Sequence, residues 1–164
     1  MGKRSTGVVL TGAAALALVS HDTEAALLAD LDAALTEGCG FAVATLNLDH
    51  LVKMARDAGF ADAYRAQTHV VADGNPVVWL RALMRRPVDL VPGSELIAPL
   101  AALAALRGVP VALYGSDQAT LDLAADRLAT DHRGLRVAAR LAPAFGFDPL
   151  GPAAAADLAR IAAS

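Results

Sequence analysis

The stretch Val70-Val71-Ala72-Asp73-Gly74-Asn75-Pro76-Val77-Val78-Trp79 decides the fold. Its apolar triplet reads as a strand that ends at Asp73-Gly74, a pair suited to turns. Asn75 is a helix-capping residue type, and Pro76 is favoured at the first helical position. A strand that stops and feeds directly into a helix is half of a βαβ unit.

The alternation continues on both sides. Downstream, Ser94 opens a helix with Leu96, Ile97, Leu100 and Leu103 on one face and Gly108 as its stop. Val109 to Tyr114 is a strand, Gly115-Ser116 a turn and Asp117 to Thr130 a helix; Leu135 to Leu141 is a strand, and Pro152 to Ala163 a final helix. Upstream, Phe41 to Leu46 is an apolar strand, followed by helices over Leu48 to Ala58, stopped by Gly59, and Phe60 to Ala66. Before these, Asp22 or Thr23 caps a helix to about Glu37 that aligns Leu27, Leu28, Leu31 and Leu35 and stops at Gly38. Val8 to Leu10 and Ala17 to Val19 read as short strands. Strands alternating with helices predict an α/β fold: a Rossmann-like, mostly parallel sheet with helices on both faces. The closing helix leads to no further strand, so the sheet is expected to be incomplete at the C-terminus. An open edge and uncovered apolar surface would favour a homo-oligomer.

Composition narrows the function. With 164 residues, one domain over 1–164 is expected, with residues 1–6 disordered. Apolar residues make up 55% and charged residues 19%, which excludes an intrinsically disordered chain. A net charge of -3, one Trp, two Tyr and four Phe argue against a nucleic-acid partner, which needs clustered cations and stacking rings. The one local basic group is Arg81, Arg85 and Arg86. Cys39 is the single cysteine, so no internal disulfide forms, and a cytoplasmic setting fits. No Cys/His grouping along the chain has metal-ligand spacing, so no metal and no cofactor are expected. Lys3 and Arg4 before the apolar stretch Gly7 to Val19 imitate a secretory signal. That stretch is too short to span a bilayer, is interrupted by Gly7, Thr11 and Gly12, and lacks a clean cleavage site, so the strand reading is preferred.

In open α/β sheets, ligands bind beyond the carboxyl ends of the strands. Asp73 stands there, with Gly74 permitting close approach and the Asn75-Pro76 helix start supplying donors that keep a carboxylate ionised, as a general base requires. Capping of the following helix is an equally good account of Asp73. Thr45 and Asn47 alternate with apolar neighbours at another strand end, where they either grip sugar hydroxyls or bond locally to the loop backbone. Asp49 and His50 begin a helix, where a structural or solvent role ranks first for His50. Gly115-Ser116 follows a strand and opens a helix, a geometry that holds phosphate on backbone N–H groups, and Gly93-Ser94 is a second weak candidate. Gly38-Cys39-Gly40 precedes a strand instead of following one, so it is not a dinucleotide fingerprint. That disfavours a nicotinamide-dependent reductase. Asp30-Leu31-Asp32 has DxD spacing but lies inside a helix.

Together these segments resemble the WecG/TagA/CpsF family of bacterial glycosyltransferases from near Phe41 to Ser164. The blocks that carry the resemblance are Thr45-Leu46-Asn47-Leu48-Asp49-His50-Leu51-Val52, Val71-Ala72-Asp73-Gly74-Asn75-Pro76-Val77-Val78-Trp79, Gly93-Ser94-Glu95-Leu96 and Pro143-Ala144-Phe145-Gly146-Phe147. The resemblance implies a UDP-sugar donor and an undecaprenyl-diphosphate-linked saccharide acceptor at the cytoplasmic membrane face, with peripheral membrane contact. It implies inversion without a metal, Asp73 as the base, and Thr45 and Asn47 lining the sugar and acceptor pocket. Two departures stand out. Leu90 occupies the place of a family Arg shortly before the Gly-Ser pair, where Arg85 and Arg86 are the remaining cations. The further strand, Pro-Lys-Gln-Glu-like loop and basic tail of the family are not among these residues, so a truncated or degenerate relative is expected. The rival reading is a non-catalytic nucleotide-sugar-binding or scaffold domain.

Overall fold

A computed structural model describes residues 8–164. The expectation for residues 1–6 lies outside the described residues. The chain divides into two compact units, Met1–Ile97 and Ala98–Ser164.

The first unit contains α1 (Gly12–Leu16), α2 (Glu24–Glu37), β1 (Val43–Leu46), α3 (Leu48–Met54), α4 (Ala58–Arg65), β2 (His69–Ala72), α5 (Asn75–Leu83) and the start of α6 (Gly93–Arg107). β1 and β2 pair in parallel, with Val43 opposite His69 and Leu46 opposite Ala72. Parallel strands need a crossover connection, and α3 with α4 supplies it. Thr23 caps α2 by accepting from the Ala26 amide, and Gly38 stops it in the left-handed conformation, φ 71°. Leu27 and Leu31 are fully buried on the expected face, while Leu28 and Leu35 are half-buried. The core gathers Leu16, Val19, Leu46, Met54, Ala61, Tyr64, Val70, Ala72, Val77 and Val88.

Four local expectations change. Val8 to Leu10 and Ala17 to Val19 are not strands; the alanine run Ala13 to Ala15 favours the short helix α1 instead. The chain still reaches the sheet, because the Ser20 amide donates to the Val70 carbonyl at 2.9 Å. The segment from Leu48 breaks after Met54, since the Asp57 side chain caps a new helix by accepting from the Phe60 amide, and Gly59 lies inside that helix. Asn75 is the first helical residue and not the cap; Gly74 takes the cap position. Ile97 of α6 is 54% exposed.

The second unit holds the rest of α6, β3 (Val111–Tyr114), α7 (Gln118–Asp131), β4 (Val137–Leu141) and α8 (Pro152–Ala162). β3 and β4 are parallel with α7 as the crossover, and a register irregularity falls between Val111 and Ala112. Ala101, Ala104 and Leu135 form a small core with Val109, Val111, Leu128 and Val137. Every strand pairing among the described residues is parallel, and helices connect the strands, so the fold is mixed α/β and Rossmann-like. Among the described residues no helix is long and apolar enough to cross a membrane. Trp79, on α5, is 68% exposed.

Arg81 is the one buried charged residue among those described, at 4% exposure. Its Nη1 donates to the Leu16 carbonyl at 3.3 Å, and Nη2 stands 3.7 Å from the largely exposed Asp22 carboxylate. Nε has no partner. A buried cation so weakly satisfied contributes mainly through its packed stem. Arg81→Ala should therefore lower stability by about 2–3 kcal/mol, and Arg81→Met by about 1 kcal/mol or less. Urea unfolding followed by circular dichroism checks this, and a larger loss in the methionine variant would assign the stabilisation to the guanidinium instead.

Candidate functional site

The carboxyl ends of β1 and β2 lie side by side, because Leu46 and Ala72 are register partners. Backbone bonds fix the chain just beyond them. The Asp73 amide donates to the Leu46 carbonyl at 2.8 Å, and the Val91 amide donates to the Ala72 carbonyl at 2.8 Å. Asp73 is half-buried at this rim. α5 has Gly74 at its cap position and no side-chain cap hydrogen bond, so the Asp73 carboxylate does not hold that helix start. Nor does the carboxylate have an ion pair or hydrogen-bond partner among the described residues. Gly74 sits at φ 96°, a conformation in which any L side chain is strained. Asn75 is exposed beside it.

Thr45 closes one side of the rim. A Cβ added at Gly93 would lie 3.3 Å from both Cγ2 and Oγ1 of Thr45, so the Thr45 side chain is packed on the bare Gly93 backbone. Ser94 is exposed in the first turn of α6. Asn47 caps α3, its Oδ1 accepting from the His50 amide at 3.0 Å. Local bonding thus takes the Asn47 oxygen and leaves its amide nitrogen as the group able to meet a ligand.

The sequence reading missed Tyr64. Its hydroxyl donates to the Thr45 carbonyl at 2.7 Å and lies 2.6 Å from His50 Nδ1. Nδ1 is itself 3.1 Å from the same carbonyl. With the phenol proton on Thr45, the neutral His50 ring carries its own proton on Nδ1. Phe60 completes the cluster, with ring centroids 5.6 Å from His50 and 5.4 Å from Tyr64. The available signal was Phe60 and Tyr64 four residues apart on one helix, a spacing equally suited to plain core packing. Burial first, and then the negative charge of Asp73, push the Tyr64 phenol up to about 12. Asp49 is paired with Lys53 at 2.7 Å, which holds its carboxyl below the usual range.

Of the expected cations, Arg81 is buried, while Arg85, at φ 58°, and Arg86 are exposed. Leu90 is 42% exposed. Gly115 and Ser116 occupy the β3–α7 turn of the second unit, at φ 119° and 57°. Asp117 caps α7 there, accepting from the Thr120 amide at 2.9 Å. Its carboxylate competes with any phosphate for the same donors.

A Rossmann-like α/β fold with a free carboxylate at the carboxyl rim of parallel strands suits a transferase that removes a proton from its acceptor. The model of the Glycosyl transferase WecG/TagA/CpsF family matches residues 15–164, and the chain belongs to that family of glycosyltransferases, which act in polysaccharide synthesis. Comparison with curated proteins returns no match.

The Tyr64 environment predicts an alkaline signature. The folded state favours the neutral phenol, so its stabilising contribution is complete below the ordinary value of 10.0 and is lost as pH rises through about 12. In Tyr114→Phe, Tyr64 is the sole remaining tyrosine. Its tyrosinate absorbance should appear with a midpoint near 12; a midpoint at the ordinary value would place the phenol in water.

Proposed function

We propose that this chain is an inverting, metal-independent glycosyltransferase that moves a sugar from a UDP-sugar to a polyprenyl-diphosphate-linked saccharide, with Asp73 as general base. Family membership supports the reaction class. The observation that carries the assignment is the half-buried Asp73 carboxylate at the strand rim, outside the cap of α5 and without an ion-pair or hydrogen-bond partner among the described residues.

The chemistry is a single displacement. The acceptor hydroxyl oxygen attacks the anomeric carbon as its proton passes to the Asp73 carboxylate. The bond from that carbon to the diphosphate oxygen breaks, UDP leaves with the electron pair, and one displacement inverts the centre. Gly74 lets the acceptor approach the backbone closely. The Thr45 hydroxyl and the Asn47 amide nitrogen are suited to sugar and acceptor hydroxyls. Tyr64, kept protonated by burial and by Asp73, braces the Thr45 carbonyl. The departing diphosphate meets backbone donors at Gly93-Ser94 and the exposed Arg85 and Arg86. On this reading Asn75 lines the acceptor side. The enzyme works at the cytoplasmic membrane face in peripheral contact with lipid, and a homo-oligomer would cover its open strand edges.

One observation favours the second reading, a nucleotide-sugar-binding scaffold: Leu90 stands where the family carries a cation. Calorimetry with UDP and a UDP-sugar, followed by a turnover assay on a lipid-linked acceptor analogue, separates the two. Binding without turnover selects the scaffold. For the enzyme, Asp73→Asn should reduce transfer by about 10²–10⁴-fold with the thermal unfolding midpoint unchanged. Full activity in that variant removes Asp73 from the mechanism.

A further inference from the structure

At the opposite end of β2 from Asp73, the fold collects three potential metal ligands that are far apart in sequence. His21 follows the segment bonded to Val70, Asp30 lies on α2 and His69 opens β2. One ligand atom from each lies within 4.8 Å of the others. The His21 and His69 rings are 5.0 Å apart with 31° between their planes. Spacing along the chain could not reveal this group, because it forms only when α2 and the His21 segment pack on the strand.

The hydrogen bonds around the rings orient them as ligands. Ser20 Oγ accepts from the Val70 amide at 2.9 Å and lies 2.9 Å from His21 Nδ1, nearer than its 3.3 Å to the Val70 carbonyl. Thr68 Oγ1 accepts from the Ala42 amide at 2.8 Å and lies 2.7 Å from His69 Nδ1. A hydroxyl both donates and accepts, so it anchors the ring through Nδ1 in either tautomer and leaves Nε2 as the nitrogen for a ligand, the role outer hydrogen bonds play around metal-binding histidines. His21 Nε2 stands 2.8 Å from Asp30 Oδ2, a contact that a proton bridges without metal and that a metal ion would take over on binding.

We propose that His21, Asp30 and His69 bind a divalent transition-metal ion of the zinc type. Two imidazole nitrogens and one carboxylate oxygen suit zinc, whereas calcium and magnesium prefer all-oxygen sets. Zinc–ligand bonds of about 2.0–2.2 Å require the three donors to close slightly, and Asp30, whose side chain is 64% exposed, is free to turn inward. The ion ties α2 and the His21 segment to the first residue of β2. At about 3.3 Å per residue the length of β2 separates it from Asp73, so it stabilises the unit and takes no part in transfer.

The test uses the full untagged chain carrying Cys39→Ser, which removes the exposed thiol as a competing ligand. After chelator treatment it is titrated with zinc chloride by calorimetry and with cobalt(II) by visible absorption. The expected result is saturable binding of about one ion per chain, cobalt bands displaced by zinc, and a zinc-dependent rise in the unfolding midpoint. Asp30→Asn, at a largely exposed position, should keep the circular dichroism spectrum and lose all three effects, as should His69→Gln. No saturable binding would mean that a proton alone bridges His21 and Asp30, and binding unchanged in both variants would locate the ion elsewhere; either overturns the site.

Discussion

The rim of the β1–β2 pair rests on two backbone hydrogen bonds, from the Asp73 amide to Leu46 and from the Val91 amide to Ala72. The first extends the parallel ladder one residue past the strands, where side chains change from apolar to polar, and the second pins the segment before α6 to the end of β2. Buried backbone donors and acceptors must be paired, and these bonds pair them while leaving the Asp73 carboxylate out of the structural work. Thr45, Gly74 and Gly93 then come within reach because the strand ends cannot slide: a one-residue slip would send the buried Leu46 and Val71 to the wrong face. On the proposed reading, the placement of the base is a by-product of register.

The candidate site is a compromise between local bonding and ligand contact. Asn47 shows this most clearly, since its oxygen holds a helix start and only its nitrogen remains available. Gly93 shows it differently, because its missing side chain makes room for Thr45. On the proposed reading, the apolar Leu90 leaves diphosphate charge to Arg85, Arg86 and helix starts. Arg81, the third member of that basic group, is committed to the interior.

The α/β class and the position of most elements were legible because period, caps and glycine stops agree. Thr23, Gly38 and Asp117 act as their residue types suggest. The N-terminal segment misled because Val8 to Leu10 and Ala17 to Val19 look β-like, while helix propensity in the alanine run between them dominates. Asp57 was an overlooked cap, which is why the boundary between the two expected helices moved from Gly59 back to Asp57. For Asp73 the sequence left base and cap evenly matched; coordinates alone show Gly74 at the cap position. The Tyr64–His50 pair and the His21–Asp30–His69 group were out of reach, since both depend on tertiary packing between segments with no shared motif.

The lone indole of Trp79 sits mostly in water on α5. From that exposure, its native emission is expected to lie close to that of an unfolded chain, which makes fluorescence a poor reporter of folding. The same exposure makes it a sensitive reporter of anything that settles on the outer surface of α5, whether bilayer, acceptor lipid or a second subunit. A blue shift in this protein signals company, not compaction.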